Sequence, residues 1–143
     1  NAGNKGYNSI NKYKRADYLC ISGHELNMEI KESGISEQER LAKLSLLIDC
    51  PNFTLTCGTQ GTLHHQSPST MLQVPSFAHR VLDRVGAGDI VFALSSLLVR
   101  AKAPWDIIGL YSNAAASIHV SELGNKNSVD RIKLGRYISS LIK

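Results

Sequence analysis

The 143-residue chain carries 43% hydrophobic and 20% charged residues, a balance that suits one compact globular domain and excludes fibrous or low-complexity architectures. Sixteen Lys and Arg against 12 Asp and Glu leave a net charge of +4, spread singly along the chain rather than gathered into a block. That scatter argues against a nucleic-acid surface, for which only "YNSINKYKR" at residues 7–15 offers basic residues interleaved with aromatics.

The three cysteines, Cys20, Cys50 and Cys57, form no Cys-x-x-Cys pair, so reduced thiols and a cytoplasmic location are expected. No run reaches the roughly 18 apolar residues that a membrane span requires, and the first residues lack the charged-then-apolar order of a signal peptide, so no membrane partner is expected. The sequence opens at Asn1 without a methionine, which places the expected natural start upstream. The five histidines, at positions 24, 64, 65, 79 and 119, show no zinc-ligand spacing with a cysteine or acid.

In chain order, "ADYLCI" (16–21) and "FTLTC" (53–57) read as strands, the second alternating Thr with apolar residues behind Pro51. Between them Ser36 and Glu39 spell a capping box ahead of Leu41, Leu44, Leu47 and Ile48, which helical spacing places on one face. Strand, helix, strand predicts a parallel crossover unit. The segments "TLHHQ" (62–66), "TMLQV" (70–74) and "HRVLD" (79–83) read as short meandering or edge strands separated by Ser and Pro. From Gly88 the pattern becomes helical: residues 90–99 are apolar nearly all round, Pro104 suits the first turn of a second helix that Gly124 ends, and Leu134, Tyr137, Ile138 and Leu141 form a stripe on a third. Trp105 and Tyr111 read as packing residues of that second helix. The result is an α/β layer architecture with one domain over residues 1–143 and no linker.

Gly86-Ala87-Gly88-Asp89 stands directly before the apolar run "IVFALSSLLV". Small residues let the backbone bend and approach a ligand, and with Ile90 opening a helix the amides of 86–89 become its unpaired N-terminal donors, an anion site. Taken alone, the same four residues also read as a plain turn with Asp89 capping the helix. Upstream, "TLTCGTQGTL" gives a strand and then Thr56-x-Gly58-x-x-Gly61, either a phosphate-carrying glycine turn or a simple hairpin.

Taken together, strand, T-x-G-x-x-G, short strands, "VLDRVGAGD" and an apolar helix resemble the ribokinase-like (PfkB) carbohydrate kinases, whose second signature, D-T-x-G-A-G-D, stands here as Asp83-Arg84-Val85-Gly86-Ala87-Gly88-Asp89. "ADYLCISGHEL" is similar to the strand that leads into the family's N-x-x-E motif, and "SNAAASIHVSELGN" to the helix and turn beside the adenine. The resemblance implies a three-layer α/β/α fold with a largely parallel sheet, present as the C-terminal, nucleotide-side half of a longer kinase domain. It therefore implies an open strand edge and an uncovered apolar face, and a fragment inactive by itself.

The function implied is ATP-dependent phosphorylation of a sugar or sugar-phosphate hydroxyl. Asp89 is the implied catalytic base, and the amides of Gly86, Ala87, Gly88 and Asp89 the implied anion hole. Thr56, Gly58, Gly61, Asn113 and Gly124 are the implied nucleotide contacts. ATP and Mg2+ are the implied cofactors, with Glu25 associated with magnesium and a monovalent cation near Asp83. A homodimer is left open. Two departures stand out: Ser22 replaces the Asn of N-x-x-E, and Arg84 replaces the usual Thr of the signature. They motivate the alternative, a non-catalytic nucleotide-binding or regulatory module that retains the anion turn. A third reading is an unrelated α/β fold in which the glycine cluster only caps a helix.

Overall fold

Ser22 and Ser36 open their helices with the same device. Each serine hydroxyl accepts the backbone N–H of a glutamate three residues on, and that glutamate's carboxylate takes the serine's own N–H, at 2.8 Å for Ser22 and 2.7 Å for Ser36. The computed structural model describes residues 9–66, 70–124 and 128–143. Tyr7 and Asn8 of the basic-aromatic stretch, and Asn125 of the segment beside the adenine, lie outside them.

The elements run β1 (Leu19–Ser22), α1 (Gly23–Glu29), α2 (Glu37–Leu47), β2 (Asn52–Thr56), β3 (Thr62–Gln66), β4 (Thr70–Val74), α3 (Ala87–Arg100), α4 (Trp105–Val120) and α5 (Arg131–Leu141). Short 3-10 turns occupy Ile10–Lys12 and Gly58–Gln60. None of the described helices is long and apolar enough to cross a membrane.

The sheet has the order β1-β2-β3-β4. β1 pairs parallel to β2, with Leu19 opposite Phe53, as the strand–helix–strand pattern predicts. β2–β3 and β3–β4 are antiparallel, with Leu55 opposite Leu63 and His64 opposite Leu72. Among the described strands the sheet is thus mixed, not largely parallel. The cause is connection length: residues 57–61 and 67–69 are too few for a crossover, which needs a dozen or more, and suffice only for hairpins.

Period-two alternation divides the sheet into two unlike faces. Ile21, Phe53, Leu55 and Leu63 point to α1 and α2 and join Leu26, Leu41, Leu44 and Ile48 in the apolar core. Each of these leucines contributes roughly 1.5–3 kcal/mol through burial. Leu47, expected on the same helical face, is 53% exposed; it sits about 60° around the helix from Leu44 and about 120° from Leu41. The opposite face carries Cys20, Thr54, Thr62 and His64 and is covered by α3 and α4, completing three layers. Its contacts are polar. His64 Nδ1 meets Thr54 Oγ1 and Nε2 meets Thr62 Oγ1, both at 2.9 Å, and Tyr18 donates to Ser95 Oγ at 2.6 Å. Trp105 completes this side, with Nε1 donating to Gln66 Oε1 at 2.8 Å and its ring 5.4 Å from that of His64.

"HRVLD" is not a strand. Leu82 and Asp83 both donate to the carbonyl of Val120, so these residues are tied to the end of α4 instead of to a sheet edge. α4 runs from Trp105 to Val120, with Pro104 as its N-cap rather than in its first turn and Gly124 beyond its C-cap, and α5 buries Ile138 against it while Tyr137 donates to Phe77 O.

Candidate active site

The turn before α3 places the signature residues. Gly86 is the N-cap, at φ 83° and ψ −6°, so the helix opens at Ala87 and not at Ile90. Only glycine adopts that left-handed conformation without strain. Ala87 N donates to Arg84 O at 3.2 Å, which spends its amide on closing the turn. Among the described residues the amides of Gly86, Gly88 and Asp89 have no partner. Three of the four amides expected as anion donors are therefore open, at a helix end that also carries the positive end of the dipole.

Asp89 occupies the third helical position, and Gly86 shows no side-chain cap bond. A capping aspartate would sit at the N-cap or bond back to it, and Asp89 does neither. Its carboxylate is exposed and lines a cavity of ≈ 980 Å³ together with Gly88, Glu25, Ser22, His24 and Phe92. Cys20 lies in the same cavity. Burial, with Glu25 and Asp89 nearby, pushes its thiol up to about 12, so it stays protonated and is no nucleophile. Ser22 meets the N-cap requirement as well as asparagine does, so the departure from N-x-x-E costs α1 nothing.

A second, smaller cavity of ≈ 200 Å³ opens on the other side of the turn. Thr56, Gly58, Gly61, Ala87, Gly88 and Asn113 all line it, as do Arg84 and the helix positions Ala116, Ser117 and Val120. A Cβ built on Gly88 meets nothing within 4 Å, so that position opens on free space. Gly61, in contrast, is held by packing: a Cβ there falls 2.2 Å from Val74 O and 2.6 Å from Pro75 C. Asn113 is buried and its amide donates to Val74 O at 2.9 Å and Pro75 O at 3.1 Å, which fixes the end of β4 at the cavity rim.

Gly124 and Gly86 lie on neither cavity wall. Gly124 N donates to Asp83 Oδ2 at 3.2 Å, and Val85 N donates to Asp83 Oδ1 at 2.9 Å. These two backbone bonds hold the Asp83 carboxyl below its usual range and make it a clamp between the turn and the α4–α5 loop. On the α4 wall Asn113 is an expected contact, whereas Ala116, Ser117 and Val120 are not individually expected, although the four are spaced at i, i+3, i+4 and i+7, a signal that places them on one helical face.

A layered α/β fold in which a glycine turn, an unpaired helix N-terminus and a free carboxylate stand between a pair of cavities is that of the ribokinase-like enzymes. The chain belongs to the pfkB family of carbohydrate kinases, with the family pattern matched over residues 8–132. It is 31% identical over 126 residues to the bifunctional protein HldE of Rhodopseudomonas palustris (strain BisB18), a match covering 86% of this chain and 25% of that protein. Over 78 residues it is 37% identical to HldE of Bradyrhizobium diazoefficiens, covering 54% of this chain and 16% of the relative. The structure of Arabidopsis thaliana ribokinase complexed with ribose and ATP superposes with a TM-score of 0.77 at 20% identity, covering 85% of this chain and 40% of that one. The chain thus spans a quarter or less of these curated relatives.

Proposed function

We propose that this chain is the C-terminal, nucleotide-side half of an ATP-dependent carbohydrate kinase that phosphorylates a hydroxyl of a sugar or sugar phosphate. The observation that carries the reading is the place of Gly88, which lines both cavities: Arg84, Ala87 and Asn113 share the smaller with it, Asp89 and Glu25 the larger. A donor nucleotide on one side and an acceptor alcohol on the other then meet at the unpaired amides, where the transferred phosphoryl group carries its charge.

Asp89 orients the acceptor hydroxyl and takes its proton as the new O–P bond forms and the β–γ bridging bond breaks, with ADP leaving. In a loose transition state the proton leaves late, so the placement of this carboxylate outweighs its basicity. Magnesium fits the oxygen donors of the larger cavity. Glu25 is the carboxylate that would hold it through water, and the ion supplies charge neutralisation of the phosphates. Arg84, exposed on the wall of the smaller cavity, is placed to meet a phosphate oxygen. A monovalent cation near Asp83 would have to share a carboxylate whose two oxygens already accept backbone N–H groups.

The test is phosphate transfer by the complete natural protein. Formation of a sugar phosphate and ADP from Mg·ATP supports the kinase; ATP binding without transfer to any of a panel of sugars and sugar phosphates would leave the regulatory module as the better reading.

A further inference from the structure

The carbonyl of Val85 and the N–H of Gly86 are the two ends of one trans peptide plane and point in opposite directions. Arg84 O accepts from Ala87 N, so residues 84–87 form a β-turn with Gly86 at its third position. Lys102 is the one non-glycine residue with positive φ among those described, so Val85 is not left-handed. With Gly86 at φ 83° and ψ −6°, the turn is type II. A type I turn over the same four residues differs by rotating the central peptide through about half a turn. That rotation would exchange the directions of the Val85 carbonyl and the Gly86 amide. The Gly86 amide is one of the three unpaired donors, so the choice of turn decides what the helix end offers an anion.

His119 biases that choice. Its Nε2 lies 2.7 Å from Val85 O, and because a carbonyl only accepts, Nε2 carries the hydrogen. The ring projects from the last turn of α4, an element tied to the same loop by Leu82 N and Asp83 N to Val120 O and by Ser121 Oγ to Arg80 O. The geometry points to His119 as a positioning residue of the anion turn. By gripping the Val85 carbonyl on the α4 side, it holds the 85–86 peptide in the type II orientation and turns Gly86 N–H away from His119, at the helix end whose next residues, Gly88 and Asp89, line the cavities. His119 lines neither cavity, so it acts only through the turn. This inference rests on the kinase reading and adds to it a residue that the glycine signature does not contain.

The experiment uses the complete natural protein and three variants: His119→Leu, which cannot donate; His119→Gln, which keeps an N–H; and Ser121→Ala, which removes a neighbouring tie of the same loop. Losing one positioning hydrogen bond predicts a kcat about tenfold lower for His119→Leu with KM for ATP little changed, recovered severalfold in His119→Gln and unaffected in Ser121→Ala. Equal losses in His119→Leu and Ser121→Ala would reduce His119 to a loop fastener, and an unchanged kcat in His119→Leu would overturn the inference. Two readouts stand apart from turnover. In the unmodified protein, 15N spectra should show the hydrogen of His119 on Nε2, and finding Nε2 unprotonated would refute the geometry even if no variant folds. The Gly86 amide should shift on adding Mg·ATP in the unmodified protein and respond much less in His119→Leu, an outcome that decides the role of His119 even if no phosphate transfer is found and the kinase reading itself fails.

Discussion

Gly61 and Arg84 show how one motif position can serve packing and another chemistry. At Gly61 a β-carbon would collide with the backbone of Val74 and Pro75, and the residue stands at φ 91°. Gly61→Ala should therefore destabilise the protein by roughly 2–4 kcal/mol in denaturant titration, whether or not nucleotide is present. The last glycine of T-x-G-x-x-G is thus required by the close approach of β4. Arg84 has the opposite character: it is exposed, lies on the cavity wall, and its guanidinium has no hydrogen bond or ion pair among the described residues. Arg84→Ala should leave the melting temperature within a degree or two while raising KM for ATP severalfold, with a smaller effect on adenosine binding; equal losses for both ligands would remove its phosphate contact. Asp83 was legible as a signature residue, but its work was not, because the partner that completes the clamp, Gly124 N, lies 41 positions away.

The faces of the sheet set the pH response of the elements. Burial pushes His64 down to about 4, and burial also lowers His65, whose Nδ1 has no partner among the described residues. A folded value below the unfolded one of about 6.5 means that the unfolded chain binds the proton more readily. The contribution of His64 is thus fully present above pH 6.5 and is lost as pH falls from there toward 4, at most roughly 3 kcal/mol for this residue. Thermal melts between pH 7.5 and 4.5 should show that decline, and a variant in which His64 is replaced by Gln should show a shallower one. Long periodic segments were readable at this scale: α2 with its Ser36 cap, α4 behind Pro104 and α5 all appear where the pattern predicts. α1 was not read as a helix, since its seven residues hold one buried apolar position, Leu26, although Ser22 and Glu25 spell the same cap as Ser36 and Glu39. "HRVLD" misled because β-branched and apolar residues there serve a loop fastened to α4, a tertiary contact that local pattern does not encode.

At the scale of the molecule, the apolar helix α3 is only half covered. Val91 and Ser95 are buried, while Phe92 is 50% and Leu97 68% exposed, and no described strand pairs with the outer edge of β1. Both features are expected from the family resemblance, since an incomplete layered sheet leaves an edge and a face open. This stretch expressed by itself should self-associate: sedimentation velocity should show species larger than 15.6 kDa growing with concentration, and Phe92→Lys should reduce them. A strictly monomeric fragment at all concentrations would mean that the exposed face needs no cover.

In the proposed phosphoryl transfer the turn joins both cavities, with Asp89 serving the acceptor. The most direct test of that role is Asp89→Asn in the complete natural protein, with turnover and Mg·ATP affinity measured together. The kcat should fall by about 10²–10⁴ with the dissociation constant for Mg·ATP changed by no more than about twofold. Turnover near that of the unmodified protein, with the variant folded, would contradict it.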